Sequence, residues 1–342
     1  MEKKPKVLII YTGGTIGMIK DIETGQLISF NFNHLYEHLP ELKRINVEMK
    51  TISFEKPIDS SEINPSHWKS IAEIIFEHYN AFDGFVVLHG SDTMAYTASA
   101  LSFMFDGLKK PIIITGSQLP IGIIRTDGKE NLITSIEIAA AKVDNEPIVQ
   151  EVAIYFEYHL YRGNRSTKYS ATNFEAIQSP NYNELATAGV EIEYNQAKLF
   201  RDSKTHVSLN TATNSRVALI KLFPGIDFSI YEALFDRSRV DGIILETFGA
   251  GNAPSSEVLK SVASKFIQDG GVILNITQCS SGGVKQGLYE TSALFNEIGV
   301  ISGHDLTSEA AVTKMMVALA AANRSETVAM LKADLRGEVT LS

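Results

Sequence analysis

Residues 7–17 read Val-Leu-Ile-Ile-Tyr-Thr-Gly-Gly-Thr-Ile-Gly, an aliphatic run that stops in two adjacent glycines flanked by threonines. Val7-Leu8-Ile9-Ile10 has the composition of a short strand buried on both faces. Glycine tolerates positive φ and lets another group approach the main chain closely. Threonine adds a hydroxyl that can accept, donate or, with help, attack. The layout then recurs. Phe85-Val86-Val87-Leu88 runs into His89-Gly90-Ser91-Asp92-Thr93, with a helix expected from Met94 to Phe105; Ile112-Ile113-Ile114 runs into Thr115-Gly116-Ser117-Gln118, with a helix from Asn131 to Ala141. Val152 to Tyr155 supplies a further strand. Strands alternating with helices specify a parallel sheet of βαβ units, whose ligands sit beyond the carboxyl ends of the strands near a switch in strand order.

Two common uses of a glycine-rich turn are excluded by spacing. Gly13, Gly14 and Gly17 do not make the dinucleotide pattern, and no lysine follows Gly17 as in a phosphate loop. What marks the turn is its company. Four loops at strand ends carry hydroxyls: Thr12 and Thr15, Ser60 and Ser61, Ser91 and Thr93, Thr115 and Ser117.

The rest of the chain fits around this core. A short helix is expected over Asn33 to Leu42 and a strand over Val47 to Phe54. Asn64-Pro65 has the form of an N-cap with proline at the first helical position, opening a helix with Trp68, Ile71, Ile74 and Ile75 at helical spacing. From about Glu191 to Ser215 the pattern loses its period and suits a linker. A second series follows: strands Val217 to Ile220, Gly242 to Leu245 and Val272 to Ile276, and helices Ser255 to Gln268, Ser308 to Ala322 and Ser325 to Lys332. The expected division is residues 1–190, a linker 191–215, and a smaller α/β domain 216–342.

Composition narrows the function. At 342 residues two domains are expected. A net charge of −9, with no basic tract beyond Lys3-Lys4 and Lys109-Lys110, argues against a nucleic-acid partner. One cysteine, Cys279, permits no internal disulfide. The amino-terminal apolar run is too short for a signal peptide, and nothing approaches a membrane span; a cytoplasmic protein is expected. The histidines are scattered; only His34 and His38 lie four apart, and that pair lacks the glutamate of a zinc protease and reads as surface residues. Cys279, after a buried strand, reads as an inert thiol. No metal site or cofactor is expected.

Thr12-Gly13-Gly14-Thr15-Ile16 together with His89-Gly90-Ser91-Asp92-Thr93-Met94 resembles the two signature motifs of bacterial-type L-asparaginases. Ser166-Thr167-Lys168, Gly249-Ala250-Gly251-Asn252-Ala253-Pro254 and Thr277-Gln278-Cys279 extend the likeness over essentially the whole chain. The Tyr161-Arg162-Gly163-Asn164-Arg165 run makes it similar to the cytoplasmic, type I branch. The resemblance implies a flavodoxin-like parallel sheet, a smaller Rossmann-like carboxyl-terminal α/β domain, a homodimer or homotetramer, and an amino-acid substrate. It implies that Thr15 is the nucleophile forming an acyl-enzyme, that Ser60 binds the substrate α-carboxylate and that Asp92 binds its α-ammonium. Gly90, Ser61 and Ser117 complete the expected substrate contacts, although Ser61 and Glu62 equally suit an N-cap cluster.

The residues carry that chemistry on their own terms. Amide hydrolysis needs a nucleophile, a group that takes its proton, and donors for the developing oxyanion. Ser91, Lys168 and Asp92 can form a hydroxyl–lysine–carboxylate relay, the triad logic with lysine in place of histidine.

Three departures from the family pattern have consequences. Ser91 stands where threonine is usual, keeping the hydroxyl but losing the methyl that restricts χ1. Gln26 takes the place of a loop tyrosine next to the nucleophile, and Tyr289 resembles a tyrosine that fills this role in some type I enzymes. Glu246 replaces an arginine of an allosteric asparagine pocket that also uses the Thr167 and Cys279 positions, so that pocket is expected to be lost or altered. Two rival functions are an asparaginase-like subunit of a tRNA-dependent amidotransferase and a non-catalytic asparagine sensor. Subunits of the first kind usually carry an extra amino-terminal domain, whereas here the first strand starts near residue 6. Ser91 and the missing loop tyrosine motivate the second.

Overall fold

A computed structural model describes residues 4–20, 27–29, 39–287 and 290–341. Gln26, which takes the place of the loop tyrosine, Tyr289, which resembles a substitute for it, and the paired His34 and His38 lie outside these residues. So does most of the helix expected over Asn33 to Leu42; its last residues belong to a 3-10 turn, Pro40–Arg44. The chain forms two compact units, Met1–Thr211 and Ala212–Ser342.

The first unit is built on an eight-stranded sheet. In chain order its main elements are β1 (Lys6–Gly13), β2 (Glu48–Ile58), α1 (Pro65–His78), β3 (Gly84–Leu88), α2 (Met94–Met104), β4 (Ile112–Thr115), α3 (Gly128–Ala140), β5 (Val152–Phe156), β6 (His159–Arg162), β7 (Ala186–Ala188) and β8 (Ile192–Tyr194). Across the sheet the order is β8-β7-β6-β5-β4-β3-β1-β2. From β2 to β5 every pairing is parallel, and β6, β7 and β8 extend the sheet antiparallel. The parallel part therefore runs 2-1-3-4-5, the flavodoxin-like order, and its direction of growth reverses between β1 and β3.

Burial explains why these strands stand out in the sequence. Val7, Leu8, Ile9 and Ile10 are fully buried, as are Phe85, Val86, Val87 and Leu88. Helices cover both faces of a parallel sheet, so its strands read as unbroken apolar runs rather than alternating ones. Each such side chain contributes roughly 1.5–3 kcal/mol relative to exposure. Helix α1 begins as its sequence indicates: Pro65 occupies the first turn and the Asn64 side chain accepts from the Ser66 N–H at 3.0 Å. Helix α2 is buried along nearly its whole surface, which fits its lack of a polar stripe.

Residues 191–215, expected as a linker, contribute β8 at the sheet edge and the short strand Ser208–Leu209, which pairs with Phe105–Asp106. Polar residues suit both because an edge strand keeps one side in water.

The second unit carries its own parallel sheet. Strands β9 (Val217–Lys221), β10 (Gly242–Thr247), β11 (Val272–Thr277) and β12 (Ile301–Ser302) lie in that order, with every pairing parallel. Helices Glu257–Gln268, Glu290–Ile298, Ser308–Ala318 and Arg324–Lys332 accompany it. Ser256 caps the first of these, accepting from the Leu259 N–H at 3.2 Å. The last residues of the unit are clamped by a fully buried ion pair, Lys314–Glu338 at 2.6 Å.

Candidate active site

The carboxyl ends of β1, β2 and β3 meet through glycine. Gly13 and Gly14 have φ of 139° and 87°, values that disfavour any side chain. A Cβ on Gly13 would lie 2.1 Å from the Ile58 carbonyl oxygen, and one on Gly14 would lie 2.5 Å from the Gly90 nitrogen. A Cβ on Gly90 would lie 2.5 Å from the Ser60 hydroxyl. Three strand ends thus crowd together around the place where strand order reverses. Thr12 fastens two of them, its hydroxyl donating to the Leu88 carbonyl at 2.9 Å. Thr15 begins a 3-10 turn, Thr15–Gly17, and is half-buried. The Tyr11 hydroxyl closes this turn by donating to the Gly17 carbonyl at 3.2 Å.

The β2 end brings in Ser60, which is buried. Its carbonyl accepts from the Thr93 hydroxyl at 2.6 Å, so the second and third loops are tied together. Asp59 caps the intervening 3-10 turn, taking hydrogen bonds from the Ser61 N–H at 2.9 Å and the Ser61 hydroxyl at 2.8 Å. Those two bonds hold the Asp59 carboxyl below its ordinary range. The Ser61 hydroxyl is therefore engaged by Asp59 at the 3-10 turn and not in an N-cap cluster of α1, whose cap is Asn64.

Ser91, Asp92 and Lys168 come together. The Lys168 ammonium donates to the Ser91 hydroxyl at 3.1 Å and to the Asp92 carboxylate. Lys168 sits on the short strand Thr167–Lys168, paired antiparallel with Ile177–Gln178, and its side chain is largely shielded at 18% exposure. It is not a solvated surface lysine. The Ser91 hydroxyl donates in turn to Gln118 Oε1 at 3.2 Å, and the Gln118 amide donates to the Asn173 carbonyl at 2.9 Å. A hydroxyl has one proton; given to Gln118, it leaves a lone pair of Ser91 facing the ammonium.

The fourth loop is held from α3. Asp127 accepts from the N–H groups of Gln118 at 2.7 Å and Leu119 at 3.0 Å, and burial pushes its carboxyl up despite these bonds. Asn131 donates to the Gly116 carbonyl at 3.0 Å. The Ser117 hydroxyl, expected among the substrate contacts, donates to the Leu119 carbonyl at 2.6 Å. Sequence reasoning assigned no role to Gln118 or Asp127. The available signal was position: Gln118 ends the run that closes β4, in register with the other hydroxyl-bearing loops.

In the second unit Glu246 is buried and accepts from the Ser308 hydroxyl, with Lys221 at 3.7 Å. Cys279 is exposed, and its N–H donates to the Thr277 hydroxyl at 3.1 Å. Among the described residues no group of three or more His, Cys, Asp or Glu is placed to hold a metal ion, and no helix is long and apolar enough to cross a membrane.

Comparison with known proteins agrees with this arrangement. Residues 6–200 match the family model "Asparaginase, N-terminal" and residues 216–331 match "Glutaminase/Asparaginase C-terminal domain". The chain is 39% identical to L-asparaginase 1 of Escherichia coli K12, with 99% of each chain covered. It is 32% identical to a glutamyl-tRNA(Gln) amidotransferase subunit of Pyrococcus abyssi, covering 98% of this chain and 77% of that one. The crystal structure of L-asparaginase I from Vibrio cholerae superposes with a TM-score of 0.89 at 37% identity, covering 99% of this chain and all of that one. With both halves matched and a full-length relative this similar, the chain belongs to the asparaginase family.

Proposed function

We propose that the protein hydrolyses the side-chain amide of L-asparagine to L-aspartate and ammonia through a threonine acyl-enzyme. The observation that carries this reading is the Lys168–Ser91–Asp92 cluster at the end of β3, abutting the glycine turn that bears Thr15.

The Thr15 hydroxyl attacks the amide carbonyl, the Lys168 ammonium gives a proton to the nitrogen, which leaves as ammonia, and the amine so formed recovers the Thr15 proton as the Ser91 hydroxyl turns to it. Water then attacks the resulting ester; one of its protons returns to Thr15 and its oxygen remains in the product carboxylate. Proton carriage of this kind contributes on the order of a hundredfold or more. Ser60 and Asp92 hold the substrate carboxylate and ammonium, and charge-assisted bonds favour a zwitterion over a neutral amide. Asp92 can serve both Lys168 and substrate because its side chain is well exposed beside the ion pair. None of these steps requires an oxidant or a group carrier. The protein acts in the cytoplasm as a homodimer or homotetramer in this reading.

Kinship with an amidotransferase subunit makes one control essential. Purified protein alone, given asparagine and separately glutamine, should release ammonia from asparagine without a partner. Binding without ammonia release, or release only when a second subunit is added, overturns the proposal.

A further inference from the structure

A buried polar chain runs from α1 through α2 to the loop that carries Ser91. The Trp68 indole N–H donates to the Thr97 hydroxyl at 3.1 Å. That hydroxyl lies 2.8 Å from His89 Nε2, and His89 Nδ1 lies 2.7 Å from the Gly90 carbonyl oxygen. Trp68, Thr97 and His89 are 5%, 0% and 0% exposed.

Chemistry dictates the proton positions. A carbonyl oxygen only accepts, so Nδ1 must carry the hydrogen. Burial pushes the imidazole down to about 4, so the ring is neutral and Nε2 is a bare acceptor. Thr97, already accepting from Trp68, gives its own proton to Nε2. Each donor in the chain then meets one acceptor.

We infer that His89 is a positioning residue for the amide-cleaving reaction, its Nδ1–H fixing the Gly90 carbonyl so that Ser91 starts its turn where Lys168 and Gln118 can reach the hydroxyl. The bond is between neighbours in the chain, so it pins one peptide plane, the plane joining Gly90 to Ser91. Gly90 could not hold it unaided, having the freest backbone of any residue. The surroundings leave no slack: a Cβ on Gly116 would lie 2.3 Å from the His89 carbonyl oxygen, and the His89 N–H donates to the Thr115 carbonyl at 2.9 Å.

The inference rests on the proposed amidase activity, which wild-type ammonia release tests separately. The positioning role is tested by two substitutions that divide the imidazole between them. His89→Asn keeps a donor near the Nδ1 position and loses the reach to Thr97. His89→Gln reaches Thr97 and loses the donor to Gly90. Misplacing a reacting group by about 1 Å costs on the order of a hundredfold. His89→Gln should therefore lose roughly that much in kcat with a far smaller change in KM, whereas His89→Asn should keep at least about a fifth of wild-type kcat. Melting temperatures of the two should fall alike, since each leaves one end of the chain unmatched. Activity that falls with melting temperature in both, or a normal kcat in His89→Gln, overturns the inference. Nitrogen-15 spectra of the wild-type histidines give an answer even if neither variant folds. A His89 ring protonated at Nδ1 supports it, and one protonated at Nε2 contradicts it.

Discussion

Gly14 and Gly90 touch main chain to main chain, closely enough that a methyl group on Gly14 would stand 2.5 Å from the Gly90 nitrogen. Each glycine precedes a hydroxyl residue of the proposed machinery, Thr15 in one case and Ser91 in the other. Removing both side chains is what lets the ends of β1 and β3 bring those hydroxyls toward one another.

Gly14→Ala should therefore be severe. It adds a clash with backbone, which cannot rotate away, to the strain of a side chain at φ 87°. Gly225 has a φ of 86° and nothing within 4 Å of where a methyl group would stand, so Gly225→Ala adds positive-φ strain without a clash. That strain is worth about 1–2 kcal/mol. Denaturant unfolding should show Gly14→Ala losing clearly more than Gly225→Ala, and only the former should abolish ammonia release.

Gln118→Leu separates the hydroxyl network from the fold. The substitution leaves the Ser91 proton without its acceptor, and a partly buried, unmatched hydroxyl costs about 1–3 kcal/mol. Turnover should fall at least tenfold while the asparagine KM moves little, because Gln118 touches Ser91 rather than the groups assigned to the substrate termini. Steady-state ammonia kinetics decide it.

Glu157 offers a pH-dependent test in the first unit. It occupies the turn between β5 and β6, and burial, with Asp127, Glu130 and Glu175 nearby, raises its carboxyl to about 6. A folded-state value above the unfolded one means that folding retains a proton. Stability from this group is thus greatest below the unfolded value and declines as pH rises to about 6, where the loss levels off. Glu157→Gln should melt above wild type at about pH 7.5 and level with it near pH 4.5, as differential scanning calorimetry would show.

Much of the fold could be read from residue order because parallel strands covered on both faces leave unbroken apolar runs, as at Val7–Ile10 and Phe85–Leu88. The antiparallel extension was harder. Ile192–Tyr194 is an edge strand whose half-exposed residues look like those of a connecting segment. At the candidate site, the meeting of Ser91, Asp92 and Lys168 was legible from motif and residue type. Gln118 acquires its role only from tertiary distance, its partners being 27 and 55 residues away. The free hydroxyl expected at Ser117 is turned to its own loop instead, a local bond that residue type alone does not reveal.

Glu246 bears on cooperativity. Its carboxylate is occupied by Ser308 and neighboured by Lys221, and it stands where the resemblance places an arginine that recognises a second asparagine. Asparagine saturation should be hyperbolic, with a Hill coefficient of about 1. A sigmoidal curve would show that another pocket performs that role.

The most direct measurement is ammonia release by Thr15→Val, a substitution that keeps the side chain's shape and removes its oxygen. With wild-type circular dichroism and melting temperature confirmed, turnover of asparagine should fall by at least about a thousandfold, the scale expected when a covalent nucleophile is lost. Near-normal turnover in the folded variant would contradict the account, because the carbonyl would then be attacked by some other atom.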